Sequence, residues 1–269
     1  MPEEIVPLIS SSVAGPLGIR HLPRVWLKIL LSASGRLPEG YRHGAGGFDE
    51  LLTGSLGIDN AGFVAYIENE KPGYLQLEAW VKEHARNLTP ESVAAFNHKI
   101  LTRDMNAEMA SERRERFGIA DPTFAHGVSL NDLDDWDQAR WITWDDDLAH
   151  IPVARWVAEH TSRPPVLRTS SIGSQIAAAR SGLGVLLLDE YAPRAVPGLA
   201  EVRHASALAA DAAEWPVDDL WLVGHAALRD TPRVAAVWDF LVETITAATT
   251  PASPGRSQRP RAARKTGRR

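Results

Sequence analysis

The sequence predicts an α+β protein in which an all-helical N-terminal domain precedes an α/β lobe. Apolar residues recur at helical spacing up to residue 137, and nothing between Leu22 and Phe117 requires a strand. Residues 166–188 instead predict a strand, a helix and a second strand, the βαβ unit of a parallel sheet. With 269 residues, 44% of them apolar, the chain can form one or two packed domains.

Composition divides the chain into four predicted parts. They are an extended lead-in at 1–20, a helical domain of unknown function at 21–137, an α/β lobe at 138–248 and a disordered basic tail at 249–269. The tail has seven basic residues and no acidic one, and the net charge of the whole chain is −5. The rest of the chain therefore carries a net charge of −12. An acidic body predicts no sequence-specific nucleic-acid binding.

Helix-start signals order the N-terminal part. Pro23 fits the first turn of one helix, Asp59 can cap a second, and Thr89 followed by proline can cap a third. A charged helix is predicted at 106–117, before a glycine. The five glycines within 35–47 predict a loop.

The densest acidic run is NDLDDWD at 131–137. It does not match a calcium loop, because Trp136 stands at the third ligand position and Asp137 replaces the required glycine. The chain has no cysteine, and its nine histidines show no zinc-ligand spacing. We therefore expect no metal and no cofactor. The run is interpreted as a solvated linker between domains, anchored by Trp136, Trp141 and Trp144.

The most distinctive polar pattern opens the helix predicted at 172–181. Thr169, Ser170 and Ser171 precede this helix, and its first turn carries no carboxylate. Its N–H groups and positive dipole end are therefore left for a small anion or another polar ligand. A simpler alternative is that one of these hydroxyls only caps the helix.

Further elements are predicted beyond Gly182, which ends this helix. The apolar run 185–188 predicts a strand buried on both faces, and 199–202 and 220–225 predict two more. Thr231 and the following proline predict a final helix. Its apolar face predicts docking on the helical domain or on a second copy, and comprises Val234, Val237, Trp238, Leu241 and Ile245.

Three segments resemble the second half of the substrate-binding domain of LysR-type transcriptional regulators. They are WDDDLAHIPVARWVAEH at 144–160, VLRTSSIGSQIAAARSGLGVLLL at 166–188 and DDLWLVGHAALRDTPRVAAVWDFL at 218–241. In that family two lobes of a type 2 periplasmic-binding-protein-like fold clasp a small effector. The resemblance places Thr169, Ser170 and Ser171 at the effector site. The family's DNA-binding domain, linker helix and first lobe have no recognisable counterpart before residue 144.

The N-terminal part resembles a small bacterial family catalogued as domain of unknown function five-zero-six-nine. The resemblance lies in HLPRVWLKILLSASGRLPEGY at 21–41, FDELLTGSLGIDNAGFVAYI at 48–67 and VSLNDLDDWD at 128–137. That family carries no established chemistry, so the resemblance assigns no catalytic residue.

Together these patterns predict a non-enzymatic sensor or interaction module with a partial LysR-type lobe. Its expected partner is a small polar or anionic effector, a second copy or a regulator subunit. Two alternatives stay open: a rearranged fusion protein that has lost effector binding, and an uncharacterised enzyme built on the helical domain. Converging titratable residues in a pocket would favour the enzyme. Without a basic leader or an apolar run of about 18 residues, we expect a cytoplasmic protein with no membrane partner.

Overall fold

The structure, a computed structural model, describes residues 3–189, 192–203 and 222–249. Contacts divide the chain into two compact units, Met1–Val217 and Asp218–Arg269. The first unit is mostly helical and contains a small parallel sheet, which confirms a mixed class of helices and strands. The predicted boundary between 137 and 138 lies within this unit and stays a prediction. Among the described residues, no helix has both the length and the apolar character needed to cross a bilayer.

Seven helices follow the lead-in. They are α1 (Leu22–Ala33), α2 (Gly47–Leu56), α3 (Asn60–Glu70), α4 (Tyr74–His84), α5 (Pro90–Thr102), α6 (Ala107–Arg116) and α7 (Gly127–Gln138). Their apolar faces meet in one core that includes Ile29 of α1, Leu52 of α2, Phe63 of α3 and Phe96 of α5, all fully or almost fully buried. Burying such side chains is the main stabilising contribution to this helical assembly.

The predicted helix starts coincide with capping bonds in the structure. The side chains of Asp59, Thr89 and Asn106 accept hydrogen bonds from amides in the first turns of α3, α5 and α6. Helix α2 was not predicted. It begins at the end of the glycine-rich loop, and its N-cap, Gly46, offers no side chain to mark the start.

The acidic run 131–137 lies within α7, so its interpretation as a solvated linker is wrong. Asp132, Asp135 and Asp137 are buried. They tolerate burial because each contacts a donor distant in sequence. The hydroxyl of Ser10 donates to Asp132 at 2.8 Å, and the backbone N–H of Ser162 donates to Asp137 at 2.7 Å.

A small parallel sheet follows α7. It consists of β1 (Ile142–Thr143) and β2 (Leu167–Arg168), and Val185 forms a single parallel bridge with Trp141, the residue before β1. The helices of this region are α8 (Pro152–His160), α9 (Ile172–Arg180) and the short α10 (Ala192–Ala195). The first strand and the helix of the predicted βαβ unit are present as β2 and α9, whereas its second strand is reduced to the bridge at Val185. A second core here contains Trp141, Trp156 and Val157.

Two predicted strands of this region are wrong. Residues 185–188 make only the bridge at Val185, and all four are half-buried where burial on both faces was expected. Residues 199–202 form no strand. A strand also needs hydrogen bonds to neighbouring backbone, and within 185–188 only Val185 makes them, to Arg140 and Ile142.

The second unit contains α11 (Pro232–Thr249), which begins after Thr231 as predicted. On its predicted apolar face Val237 is 59% exposed, whereas the other four members are half-buried. In the predicted strand 220–225, residues 222–225 form no strand and the first two lie outside the described residues. The predicted tail from 250 onward also lies outside them.

A polar cleft among α1, α2 and α7

A cleft of about 600 Å³ opens in the helical part of the first unit. Its lining comes from α1, the loop before α2, the first turn of α2, the turn before α6, α6 itself and α7. Three buried residues of α1 and its N-cap, His21, Arg24 and Lys28, lie three and four positions apart and therefore on one helical face. The cleft thus has titratable groups in its floor.

Asp49 joins two of these groups. Its carboxylate accepts a hydrogen bond from Nε2 of His21 at 2.7 Å and contacts Nζ of Lys28 at 2.7 and 2.8 Å. The backbone N–H of Gly44 also donates to it at 2.9 Å. All four carboxylate contacts come from groups held by backbone or burial, so the carboxylate has a fixed position.

The loop before α2 is shaped to reach this carboxylate. Gly44 has a φ of 71°, in the region that side-chain-bearing residues rarely adopt. A Cβ atom there would stand 2.7 Å from Cγ2 of Val64. In the same loop, the backbone carbonyl of Arg42 accepts a hydrogen bond from Nζ of Lys28 at 3.0 Å. Glycine is therefore required for the loop to close over the Lys28–Asp49 pair.

A second buried ion pair lies beside the first. The guanidinium of Arg24 makes two hydrogen bonds to Asp135 of α7, at 2.5 and 3.0 Å, and also donates to the carbonyls of Pro7 and Ile9. The hydroxyl of Tyr41 donates to the same carboxylate at 2.8 Å. This bidentate pair ties the lead-in, α1, the loop and α7 together.

Burial and pairing set the charges of the floor. Burial lowers the pKa of His21, so its imidazole is neutral near pH 7. Burial also opposes charge on Asp49, but the contacts from His21 and Lys28 outweigh it and lower the pKa of this carboxyl to about 2. Burial likewise opposes charge on Arg24, yet the Asp135 carboxylate raises its pKa.

The backbone at His21 is unusual. Its φ is 64° and its ψ is −22°, which places a residue with a side chain in the left-handed region at the N-cap of α1. Such conformations cost about 1–3 kcal/mol and occur often at functional sites. The imidazole that this backbone positions has both ring nitrogens bonded, Nε2 to Asp49 and Nδ1 to the hydroxyl of Ser11 at 2.9 Å.

The rim of the cleft carries arginines. Arg113 and Arg116 of α6 bond Asp134 of α7 at 3.2 and 2.8 Å, which fixes α6 against α7. Arg103 is exposed, and its guanidinium lies 5.8 Å from the ring centre of Phe48. Its charge therefore remains accessible from the cleft opening.

The hydroxyl residues predicted as a site lie elsewhere, at the start of α9. The hydroxyl of Ser171 accepts a hydrogen bond from the amide of Ser174, so it caps the helix. The hydroxyl of Ser170 donates to Asp147 at 2.7 Å, and Oγ1 of Thr169 accepts from the amide of Ser171. Ser170 and Ser171 are exposed and Thr169 is half-buried. The three hydroxyls do lie together, next to a carboxylate.

No protein-family model matches the chain, and no curated protein is significantly similar to it. In the part of the chain that the structure describes, no group of three histidine or carboxylate side chains is arranged to hold a metal ion.

Sequence reasoning did not identify the cleft. Its one local signal is the spacing of His21, Arg24 and Lys28, which puts three basic groups on one face of an otherwise apolar helix. A lone basic stripe ordinarily faces solvent. The stripe on α1 is buried because Asp49 and Asp135 pair with its side chains, and these contacts are visible only in the structure.

Proposed function

We propose that this protein binds a small polar molecule in the cleft among α1, α2 and α7. The observation that carries the proposal is the convergence of buried, fixed ionic groups on one cleft. Its volume of about 600 Å³ is in the range of small-molecule pockets. Structural ion pairs alone do not require a cleft beside them.

The charges indicate the class of ligand. In the floor, Asp49 is balanced by Lys28 and Asp135 by Arg24, so these four groups present no net charge. The lining also includes the exposed cations Arg42 and Arg103 and the exposed acids Glu39 and Asp104. At the rim, Arg113 pairs with Asp134, and Arg116 pairs with Asp134 and Asp137. A molecule with no net charge but with several donors and acceptors fits this lining, such as a zwitterion or a polyhydroxylated compound.

A thermal-shift screen of uncharged polar compounds tests the proposal. Met109, 37% exposed in the cleft lining, is replaced by Trp to fill the space. Leu75→Trp, at a residue 68% exposed outside the cleft, is the matched control. A compound at about 100 times its dissociation constant adds about 2.7 kcal/mol to stability.

The expected result is that active compounds stabilise the wild type and Leu75→Trp but not Met109→Trp. The proposal fails if stabilisation survives Met109→Trp, or if no compound of this class stabilises the wild type.

The start of α9 supports a second candidate, the effector site of a half LysR-type lobe. The supporting observation is that Thr169, Ser170 and Ser171 cluster where the parallel strand β2 ends and α9 begins. On this proposal the lobe is half of a periplasmic-binding-protein-like fold that binds an anionic effector or a regulator subunit. Asp147 argues against an anionic effector at this site. Its carboxylate already accepts a hydrogen bond from the hydroxyl of Ser170, and its negative charge repels an anion.

A further inference from the structure

Ser11, His21 and Asp49 form a continuous hydrogen-bonded chain at the floor of the cleft. The Oγ of Ser11 lies 2.9 Å from Nδ1 of His21, and Nε2 of His21 lies 2.7 Å from Oδ1 of Asp49. All three residues line the cleft. They lie 10 and 28 positions apart along the chain, so the fold brings them into line.

The protonation states fix the direction of each hydrogen bond. An ionised carboxylate can only accept, so Nε2 of the neutral imidazole must carry its proton and donate to Asp49. The other ring nitrogen, Nδ1, is then an acceptor with a free lone pair. The Ser11 hydroxyl therefore donates to a basic nitrogen, as the nucleophile does in a serine hydrolase.

We propose that Ser11 is a nucleophile, activated by His21, that attacks small acyl esters bound in the cleft. The inference rests on the proposed function only in that both use the same cleft. His21 has no nitrogen left for a substrate, so any chemistry it performs passes through the hydroxyl of Ser11. Asp49 is a positioning residue that holds the tautomer.

The reaction balances with water as the only co-reactant. Oγ of Ser11 bonds to the acyl carbon while its proton passes to Nδ1 of His21. The ester C–O bond breaks, and the alcohol leaves with that proton. The oxygen of water then bonds to the acyl carbon as water gives a proton to Nδ1. The C–Oγ bond breaks, Oγ takes the proton from Nδ1, and the carboxylic acid is released.

Two features of the cleft shape this activity. The first residues of α2 line the cleft and its N-cap Gly46 provides no side-chain cap, so the positive end of this helix borders the space in which an oxyanion would form. Lys28 shares the carboxylate of Asp49, which reduces its support for a protonated His21. His21 is protonated during both acylation and deacylation, so both steps are expected to be slower than with a carboxylate that His21 does not share.

Access restricts the substrates. Ser11 is 1% exposed, so only a small electrophile that enters the cleft can reach its hydroxyl. Diisopropyl fluorophosphate is a suitable probe, because phosphorylation of Oγ releases fluoride and a proton. In the wild type we expect a single mass increase in the peptide that contains Ser11, and no labelling of Ser11→Ala.

The absence of cysteine from the chain allows a sharper test. Ser11→Cys carries the only thiol, and its rate of alkylation by iodoacetamide can be followed against pH. If His21 accepts its proton, the midpoint of this profile falls at least about one pH unit below the usual thiol value of about 8.5. Ser181→Cys, at an exposed residue, is the control for an ordinary thiol.

The same thiol in the background of His21→Asn completes the design, because asparagine tolerates the left-handed backbone of residue 21. Loss of the acid shift there supports activation by His21. Equal profiles with and without His21, or an unreactive Ser11→Cys together with no labelling of the wild type, overturn the inference. Neither result affects a ligand found by thermal shift, so failure of catalysis and failure of binding are distinguished.

Discussion

The cleft and the start of α9 use similar polar side chains but hold them by different means. In the cleft, Asp49 and Asp135 are buried and bond side chains 21 to 111 positions away in sequence. At the start of α9, Ser171 is exposed and bonds an amide three positions away. Only at the first site does removal of one group leave a buried charged group without its partner.

The comparison also separates a visible pattern from a working arrangement. The hydroxyl cluster at 169–171 is contiguous in sequence, and in the structure two of its three hydroxyls make the local bonds of a helix start. The cleft has no contiguous motif, yet it brings together groups with shifted pKa values beside an open volume. Contiguous polar residues commonly satisfy the local backbone first.

The largest contrast is expected from single carboxylate deletions. Asp49→Ala should destabilise the protein by about 3–5 kcal/mol, because it leaves the buried Lys28 ammonium without its partner. Asp147→Ala, at an exposed carboxylate, should change stability by less than about 0.5 kcal/mol. Urea denaturation of both variants measures the difference. Equal effects would contradict the buried character of the Asp49 site.

Lowering the pH below 6.5 should reduce the free energy of unfolding through His21. Because burial lowers the pKa of His21 below 6.5, the unfolded chain binds a proton there that the native protein does not. Stability therefore falls as pH drops from 6.5 to the lowered pKa, by at most about 1.4 kcal/mol per pH unit. The groups that face His21 are Asp49 on α2 and Lys28 and Arg24 on α1.

His21→Asn isolates this contribution. Unfolding midpoints measured from about pH 7 to about pH 5 should decline less steeply in the variant than in the wild type. Asp49 acts in a separate window, since its contribution is present above 3.8 and is lost as pH falls towards about 2. An unchanged slope between about pH 7 and about pH 5 would show that His21 is not the group that titrates.

A smaller effect is expected from the helix cap. Ser171→Ala removes the bond to the amide of Ser174 and should cost about 1 kcal/mol. Ser171→Asp keeps a capping acceptor and should restore stability. Thermal unfolding of the two variants decides between a cap and a pure ligand-binding role, because a residue held for ligand binding alone would show no loss in the absence of ligand.

The smallest expected effect concerns anions at the start of α9. Asp147→Asn removes the negative charge beside Ser170 without removing an acceptor. If this region holds an anionic effector, phosphate should bind the variant several-fold more tightly, since a like charge at this distance contributes about 1 kcal/mol or less in water. NMR titration of the amides of 170–174 measures it. No binding to either protein would argue against an effector site there.

The sequence predicts the elements whose stabilising contacts are local, and it does not predict those that depend on partners distant in sequence. Helices α3, α5 and α6 were predicted because their caps lie within three residues of the amides they bond. Helices α2 and α7 were not predicted. The N-cap of α2 is a glycine without a capping side chain, and the sequence of α7 is rich in aspartates, which are typical of a loop. The partners that make α7 buried, Ser10 and Arg24, are 122 and 111 positions away from their carboxylates.

The same reason explains the cleft and the strands. Periodicity identifies which residues are apolar, but a strand also depends on a neighbour, and residues 185–188 find one only at Val185. The candidate nucleophile Ser11 lies in the lead-in, where no periodic pattern predicts which hydroxyl groups are buried or belong to a site. Its role as a site residue becomes visible only when His21 and Asp49 stand next to it.

Helix α7 has a consequence for how such a chain can be cut or recombined. Asp135 bonds Arg24 on one side, while Asp137 accepts the amide of Ser162 on the other. A break after residue 137 would therefore leave one fragment with a buried carboxylate deprived of its backbone donor. Crossover points in a gene fusion or a split-protein reporter would be better tolerated in the exposed turn at 120–123, where the hydrogen bonds of Asp121 are local, to Thr123 and Phe124.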